Sequence, residues 1–179
     1  MNYRSIIVSC LFASCILLFS GCGGEQLPPG IPKLYPATLT VMQDGKPLAD
    51  AEIIMINVDP STNWSAGGVT DQNGVLKLRT MGRYNGAPVG KYKVAVQKTE
   101  TPDISLPYDP PYDPPSDPAE LREYNRLVKE IRDNTFLLVD EKFSIEKTEL
   151  EVEITPTELK VTVDVSPAVR VKPQVQPTG

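Results

Sequence analysis

Ala37-Thr38-Leu39-Thr40-Val41-Met42-Gln43-Asp44-Gly45-Lys46-Pro47-Leu48 decides the fold class. Leu39 and Val41 alternate with Thr38 and Thr40, the period-two pattern of a strand that buries one face. Asp44-Gly45 then supplies a hairpin turn, because glycine takes the positive φ that such turns need. Working outward, residues 50–58 predict a second strand. It is apolar on both faces (Ile53 and Met55; Ile54, Ile56 and Val58), as a central or covered strand should be. Residues 67–70 lead into Asp71-Gln72-Asn73-Gly74, a turn, and residues 75–80 follow with Leu76 and Leu78 inward. Gly82, Gly86, Pro88 and Gly90 punctuate a loop over 81–90. Residues 91–98 alternate again, with Tyr92, Val94 and Val96 inward and Lys91, Lys93 and Gln97 outward. Two last strands are expected at 149–154 and 158–165, joined by Thr155-Pro156-Thr157. About seven short strands separated by turn signals indicate a mainly β fold, a Greek-key β-sandwich spanning 37–165.

An insertion at 101–133 breaks this rhythm. Tyr108-Asp109-Pro110-Pro111 is followed at once by Tyr112-Asp113-Pro114-Pro115. Proline fixes φ and cannot donate to a sheet, so an extended polyproline segment is expected. It can brace the sandwich edge or, through Tyr108 and Tyr112, enter an aromatic-lined groove. Asp117-Pro118-Ala119-Glu120 next reads as a helix start, with Asp117 as N-cap and Pro118 in the first turn. Leu121, Tyr124, Val128 and Ile131 form one apolar stripe, expected to dock the helix on the sandwich. Residues 166–179, with Pro167, Pro173 and Pro177, read as a loose tail.

The N-terminus carries an address. Arg4 precedes an apolar run over 6–19, closed by Ser20-Gly21-Cys22. A basic start, a short apolar core and small residues before a cysteine describe a lipoprotein signal peptide at 1–21. The apolar run falls short of the roughly 20 residues that cross a bilayer. Phe19 stands where lipoboxes usually carry leucine. Cys22 is the expected lipidation site, its thiol taking a diacylglycerol and its freed amine a further acyl chain. Residues 22–36, rich in Gly and Pro, read as a flexible tether. The implied location is the cell envelope, with the membrane as partner through the lipid anchor. Gly23 is not an aspartate resembling an inner-membrane retention signal, so the outer membrane is favoured.

Composition narrows the chemistry. The formal net charge is −5, and the signal removes only Arg4, so the mature part is more acidic still. An acidic domain argues against nucleic acid as partner. Histidine is absent, which excludes serine–histidine and cysteine–histidine nucleophiles and histidine-bound zinc. Cys10 and Cys15 lie in the signal, leaving the mature domain no internal disulfide. Asp71 and Asn73 stand two apart beside Gly74 and could offer oxygens to calcium, but the full calcium-loop spacing is missing, and a plain turn is the simpler account. Trp64, Tyr84, Tyr108 and Tyr112 are loop aromatics whose broad faces could stack on sugars. The plainer reading of Trp64 is a cap on one end of the core.

Residues 38–96 resemble the transthyretin-like, carboxypeptidase-regulatory-like domain of bacterial lipoproteins, notably of planctomycete type. The matching pieces are Asp44-Gly45-Lys46-Pro47-Leu48, Ala51-Glu52-Ile53, Gly68-Val69-Thr70-Asp71-Gln72-Asn73-Gly74 and Gly86-Ala87-Pro88-Val89-Gly90-Lys91-Tyr92-Lys93-Val94. Residues 139–143 and 148–152 resemble the closing part, with Asp140-Glu141-Lys142-Phe143 where the family has a proline and a tyrosine. The resemblance implies a seven-stranded sandwich, mostly without known activity. Some relatives hydrolyse hydroxyisourate with histidines and a Tyr-Arg-Gly-Ser end; here there is no histidine, and the sequence ends Gln176-Pro177-Thr178-Gly179, so that activity is not carried over. The expectation is a lipid-anchored, non-catalytic, cofactor-free module that contacts an unknown envelope protein or glycan. The alternative is a carbohydrate- or calcium-binding surface.

Overall fold

The computed structural model describes residues 27–62, 64–106 and 117–173. Two compact units divide the chain, Met1–Ile31 and Pro32–Gly179. In the first, the described residues form a turn in which the Ile31 N–H donates to the Pro28 carbonyl at 3.2 Å.

The second unit is mainly β. Its strands are β1 (Leu34–Tyr35), β2 (Ala37–Gln43), β3 (Lys46–Pro47), β4 (Glu52–Asn57), β5 (Ser65–Val69), β6 (Val75–Lys77) and β7 (Arg79–Thr80). After them come β8 (Tyr84–Asn85), β9 (Ala87–Pro88), β10 (Gly90–Gln97) and β11 (Thr99–Glu100). Helix α1 (Pro118–Asp133) is followed by β12 (Phe136–Leu137), a 3-10 turn (Glu141–Phe143), β13 (Glu151–Ile154) and β14 (Leu159–Asp164).

Two main sheets carry the fold. One is six-stranded in the order β13-β10-β4-β5-β7-β8; the other has the order β14-β2-β3, with β6 also pairing β2. Their inner faces meet in one buried cluster. Leu39 and Val41 of β2 and Val163 of β14 share it with Ile53 and Met55 of β4, Tyr92, Val94 and Val96 of β10, and Val152 and Ile154 of β13. The period-two alternation explains these positions: every second residue of each strand points inward.

Each of the seven expected strand stretches contains a strand, but three details differ. First, residues 75–80 split at Leu78. β6 pairs β2 in one sheet, and β7 pairs β5 in the other. Buried Leu78 is the corner: its N–H donates to the Ala37 carbonyl, and its carbonyl accepts from the Gly86 N–H. Second, β14 runs parallel to β2, from Leu159 opposite Ala37 to Asp164 opposite Met42. β13 and β14 therefore belong to different sheets, and Thr155-Pro156-Thr157 crosses between them rather than closing a hairpin. Third, β4 is central, between β10 and β5, as its two apolar faces predict, yet its outer face is not fully covered, since Ile56 is 43% exposed.

The ends also depart from expectation. The tether was expected to reach residue 36, but Leu34 and Tyr35 pair with Pro88 and Ala87. The residues after Ser166, expected to be loose, are held as far as they are described. Leu137 and Val171 exchange backbone hydrogen bonds at 2.7 and 3.1 Å. The Arg170 guanidinium lies 3.6 Å from the Phe136 ring centroid and pairs with Glu100. The Lys172 ammonium donates to the Asp133 carbonyl.

Local chemistry sets the turns and the helix. Asp44 (φ 50°) and Gly45 (φ 73°) are both left-handed, as a two-residue hairpin between Gln43 and Lys46 requires. The Asp117 carboxylate caps α1, accepting from the Ala119 and Glu120 amides at 2.7 and 3.2 Å. Arg126 bridges Glu123 and Glu130 at 2.7 and 3.0 Å on the solvent face. Exposed pairs of this kind contribute little to stability, because water and salt screen them. The stripe Leu121, Tyr124, Val128 and Ile131 is half-buried, and no residue of α1 is fully buried. The docking expected of the helix is thus shallow.

Candidate functional site

The expected site residues do not converge on one place among the described residues. Cys22, Tyr108 and Tyr112, with both Tyr-Asp-Pro-Pro repeats, lie outside those residues.

Asp71 and Asn73 build a turn. One Asp71 carboxylate oxygen accepts from the Asn73 and Val75 amides at 2.8 and 2.9 Å. The Asp71 backbone closes the loop, its N–H donating to the Val75 carbonyl and its carbonyl accepting from the Gly74 N–H. A short acceptor side chain folded onto amides two and four residues ahead is what this loop needs to reverse direction. Among the described residues no group of three or more acidic or cysteine side chains could hold a metal ion.

Trp64 and Tyr84 are half-buried. Ala66 of β5 pairs with Thr80 of β7, which pairs with Tyr84 of β8. Trp64 stands two residues before Ala66 and shares its parity. Ala66 and Thr80 are buried, and Tyr84, directly opposite Thr80, lies on the same face of the sheet. The Arg83 guanidinium sits 5.4 Å from the Tyr84 ring centroid. An open concavity of about 350 Å³ nearby is lined instead by Gly67, Gly68, Val69, Leu76, Lys77 and Arg79, among others. A second, of about 460 Å³, lies between Lys142, Phe143, Lys147, Glu149 and Leu150.

The buried polar side chains serve the backbone. Thr70 accepts from the Ala51 N–H at 2.9 Å and donates to the Leu48 carbonyl at 2.7 Å. Thr80 donates to the Gly86 carbonyl at 2.8 Å, and Thr148 to the Val94 carbonyl at 2.7 Å. Tyr92, fully buried, donates to the Pro88 carbonyl at 2.9 Å. Burial pushes the Tyr92 phenol above its ordinary pKa of 10.0, and a hydrogen bond with the Asn57 side chain partly opposes the shift. Sequence reasoning placed Tyr92 inward by alternation but did not see its bond to the backbone. The signal was the Pro88-Val89-Gly90-Lys91-Tyr92 spacing: a tyrosine whose hydroxyl reaches a carbonyl a few residues upstream pins a sheet corner in immunoglobulin-type β-sandwiches.

No protein-family model matches this chain, and no curated protein matches it. Among solved structures, it is similar to the major pilin subunit of Bacillus cereus at 18% identity, with a TM-score of 0.35, over 75% of this chain and 30% of the pilin. It is similar to a 9R-lipoxygenase from Cyanothece at 17% identity, with a TM-score of 0.34, over 79% of this chain and 18% of the enzyme. The chain thus spans under a third of either protein. Similarity at this level assigns neither fold family nor activity.

Proposed function

We propose that this protein is a lipid-anchored, non-catalytic module of the bacterial envelope, built on a transthyretin-like Greek-key sandwich and acting through surface contact. The observation that carries the reading is the Ser20-Gly21-Cys22 signal placed ahead of a Gly- and Pro-rich spacer and a β domain. Two features support the rest. Each expected strand stretch contains a strand in chain order, and the buried hydroxyls of Thr70, Thr80, Thr148 and Tyr92 are each committed to a backbone carbonyl. The partner in this reading is an envelope protein or glycan, with the membrane engaged through the anchor at Cys22. Two or three acyl chains hold such a protein firmly, since each buried methylene contributes about 0.8 kcal/mol.

The test is fractionation. Wild-type protein is expected in the membrane fraction, and Cys22→Ser is expected to lose its acyl chains and its normal processing. Released with detergent, the wild type should partition into a detergent phase and a cleaved, unacylated domain into the aqueous phase. A Cys22→Ser protein that is processed and retained as the wild type is would sink the anchor.

A further inference from the structure

We propose that β14 is a self-association edge, through which two copies of this chain pair antiparallel about a two-fold axis at Thr162. β14 bonds to β2 on one side only and ends its sheet among the described residues. The Leu159 N–H donates to the Pro36 carbonyl and the Val165 N–H to the Met42 carbonyl. Odd-numbered residues therefore spend their backbone groups on β2. The even-numbered ones, Lys160, Thr162 and Asp164, direct theirs away from the sheet, and their side chains are exposed. An open row of donors and acceptors is a template for another strand.

Charge selects the partner and the register. Only the outward-bonding residues can form the hydrogen-bonded pairs of an antiparallel ladder, so few two-fold registers exist. A centre at residue 160 sets Lys160 against Lys160, and a centre at 164 sets Asp164 against Asp164. A centre between 160 and 162 sets Glu158 against Asp164, and one between 162 and 164 sets Lys160 against Ser166, whose amide is already bonded to the Asp164 carboxylate. A centre at Thr162 sets Lys160 against Asp164 twice and Thr162 against Thr162; the exposed Lys160–Glu158 pair gives way, and Asp164, which accepts from Ser166 on one carboxylate oxygen, meets Lys160 with the other. Opposite charges and paired threonines are favourable directly across a ladder, and like charges are not. On the core side the same register sets Val161 against Val163. Because the contact is isologous, it closes at two copies and does not run on into a fibre.

The register makes a sharp test by crosslinking. In the full chain carrying Cys10→Ser, Cys15→Ser and Cys22→Ser, a single Thr162→Cys falls on the axis. Hydrogen-bonded cross-strand partners have Cα atoms about 5.5 Å apart, within disulfide reach. A single Lys160→Cys or Asp164→Cys would face its twin across roughly 14 Å and cannot close. Under mild oxidation, covalent dimer from Thr162→Cys is expected at ten times or more the yield at the other two positions. Adding Asp164→Lys should lower that yield, and adding Lys160→Asp as well should restore it. Equal yields at all three positions, no dimer at Thr162, or no response to charge reversal would overturn the proposal. Amide exchange on the unsubstituted chain gives a second reading should a variant misfold. The Lys160, Thr162 and Asp164 amides should slow at least tenfold as protein concentration rises; rates independent of concentration would count equally against it.

Discussion

Tyr92→Ala is expected to lower the unfolding free energy by about 3–5 kcal/mol, the range for removing a buried aromatic side chain. Tyr92 is fully buried in the cluster that joins the two sheets, and its hydroxyl holds the Pro88 carbonyl at 2.9 Å. Two effects therefore combine: a cavity between β10 and its neighbours, and a carbonyl that loses its donor. Tyr92→Phe separates them. It keeps the ring and should cost only about 1–2 kcal/mol, for the lost hydrogen bond. The phenol also sets a pH dependence. Its pKa is raised in the folded chain from 10.0 by burial, so the unfolded chain releases this proton first. The associated stability is complete below the ordinary value and is lost as pH rises from there toward the raised folded value. Urea melts of wild type and Tyr92→Phe should thus converge as pH climbs past about 10. A constant difference across that window would contradict the burial argument.

The second large effect is at Gly74. Its φ is +69°, and an added Cβ would lie 2.6 Å from the Val41 carbonyl oxygen and 2.9 Å from the Leu48 nitrogen. Those two atoms are themselves hydrogen-bonded, at 2.9 Å, where β2 meets the chain after the first hairpin. Gly74→Ala must therefore adopt a left-handed backbone, at about 1–2 kcal/mol, and also push apart a backbone bond, for a total near 3 kcal/mol. Gly45 supplies the control. Its φ is +73°, but nothing lies within 4 Å of its would-be Cβ. Gly45→Ala should pay the backbone term alone, so thermal or urea melts should show roughly twice the loss at Gly74. Equal losses at both glycines would show that the close approach to Val41 has no energetic weight.

What could be read in the sequence was local. Alternation located β2, β10, β13 and β14 because one face of each strand is buried, and a period of two survives whatever the partner strand is; β4 was legible instead as a run apolar on both faces. Asp44-Gly45 and Asp117-Pro118 fixed a turn and a helix start because their chemistry acts within a few residues. Pairing was not legible. The inward pattern of Leu76 and Leu78 is the same whether the chain stays in one sheet or changes sheets at Leu78. Nothing near β14 marks it as parallel to a strand more than a hundred residues earlier. Leu34 and Tyr35 are too short a run, between Pro32 and Pro36, to show a period. The grip of Arg170 on Phe136 and Glu100 depends on residues far apart in the chain. Of the candidate site, Asp71 could be understood from its own loop, since its partners are two and four residues away. Tyr84 could not, because its place opposite Thr80 comes from the β7-β8 pairing.

The central claim, an envelope module held by lipid at Cys22, is tested most directly by the mass of the mature N-terminus. Protein extracted from membranes, digested and analysed by mass spectrometry should yield an N-terminal peptide that begins at Cys22 and carries a thioether-linked diacylglycerol. A peptide beginning at Met1, or an unmodified Cys22 within a longer peptide, would contradict the account.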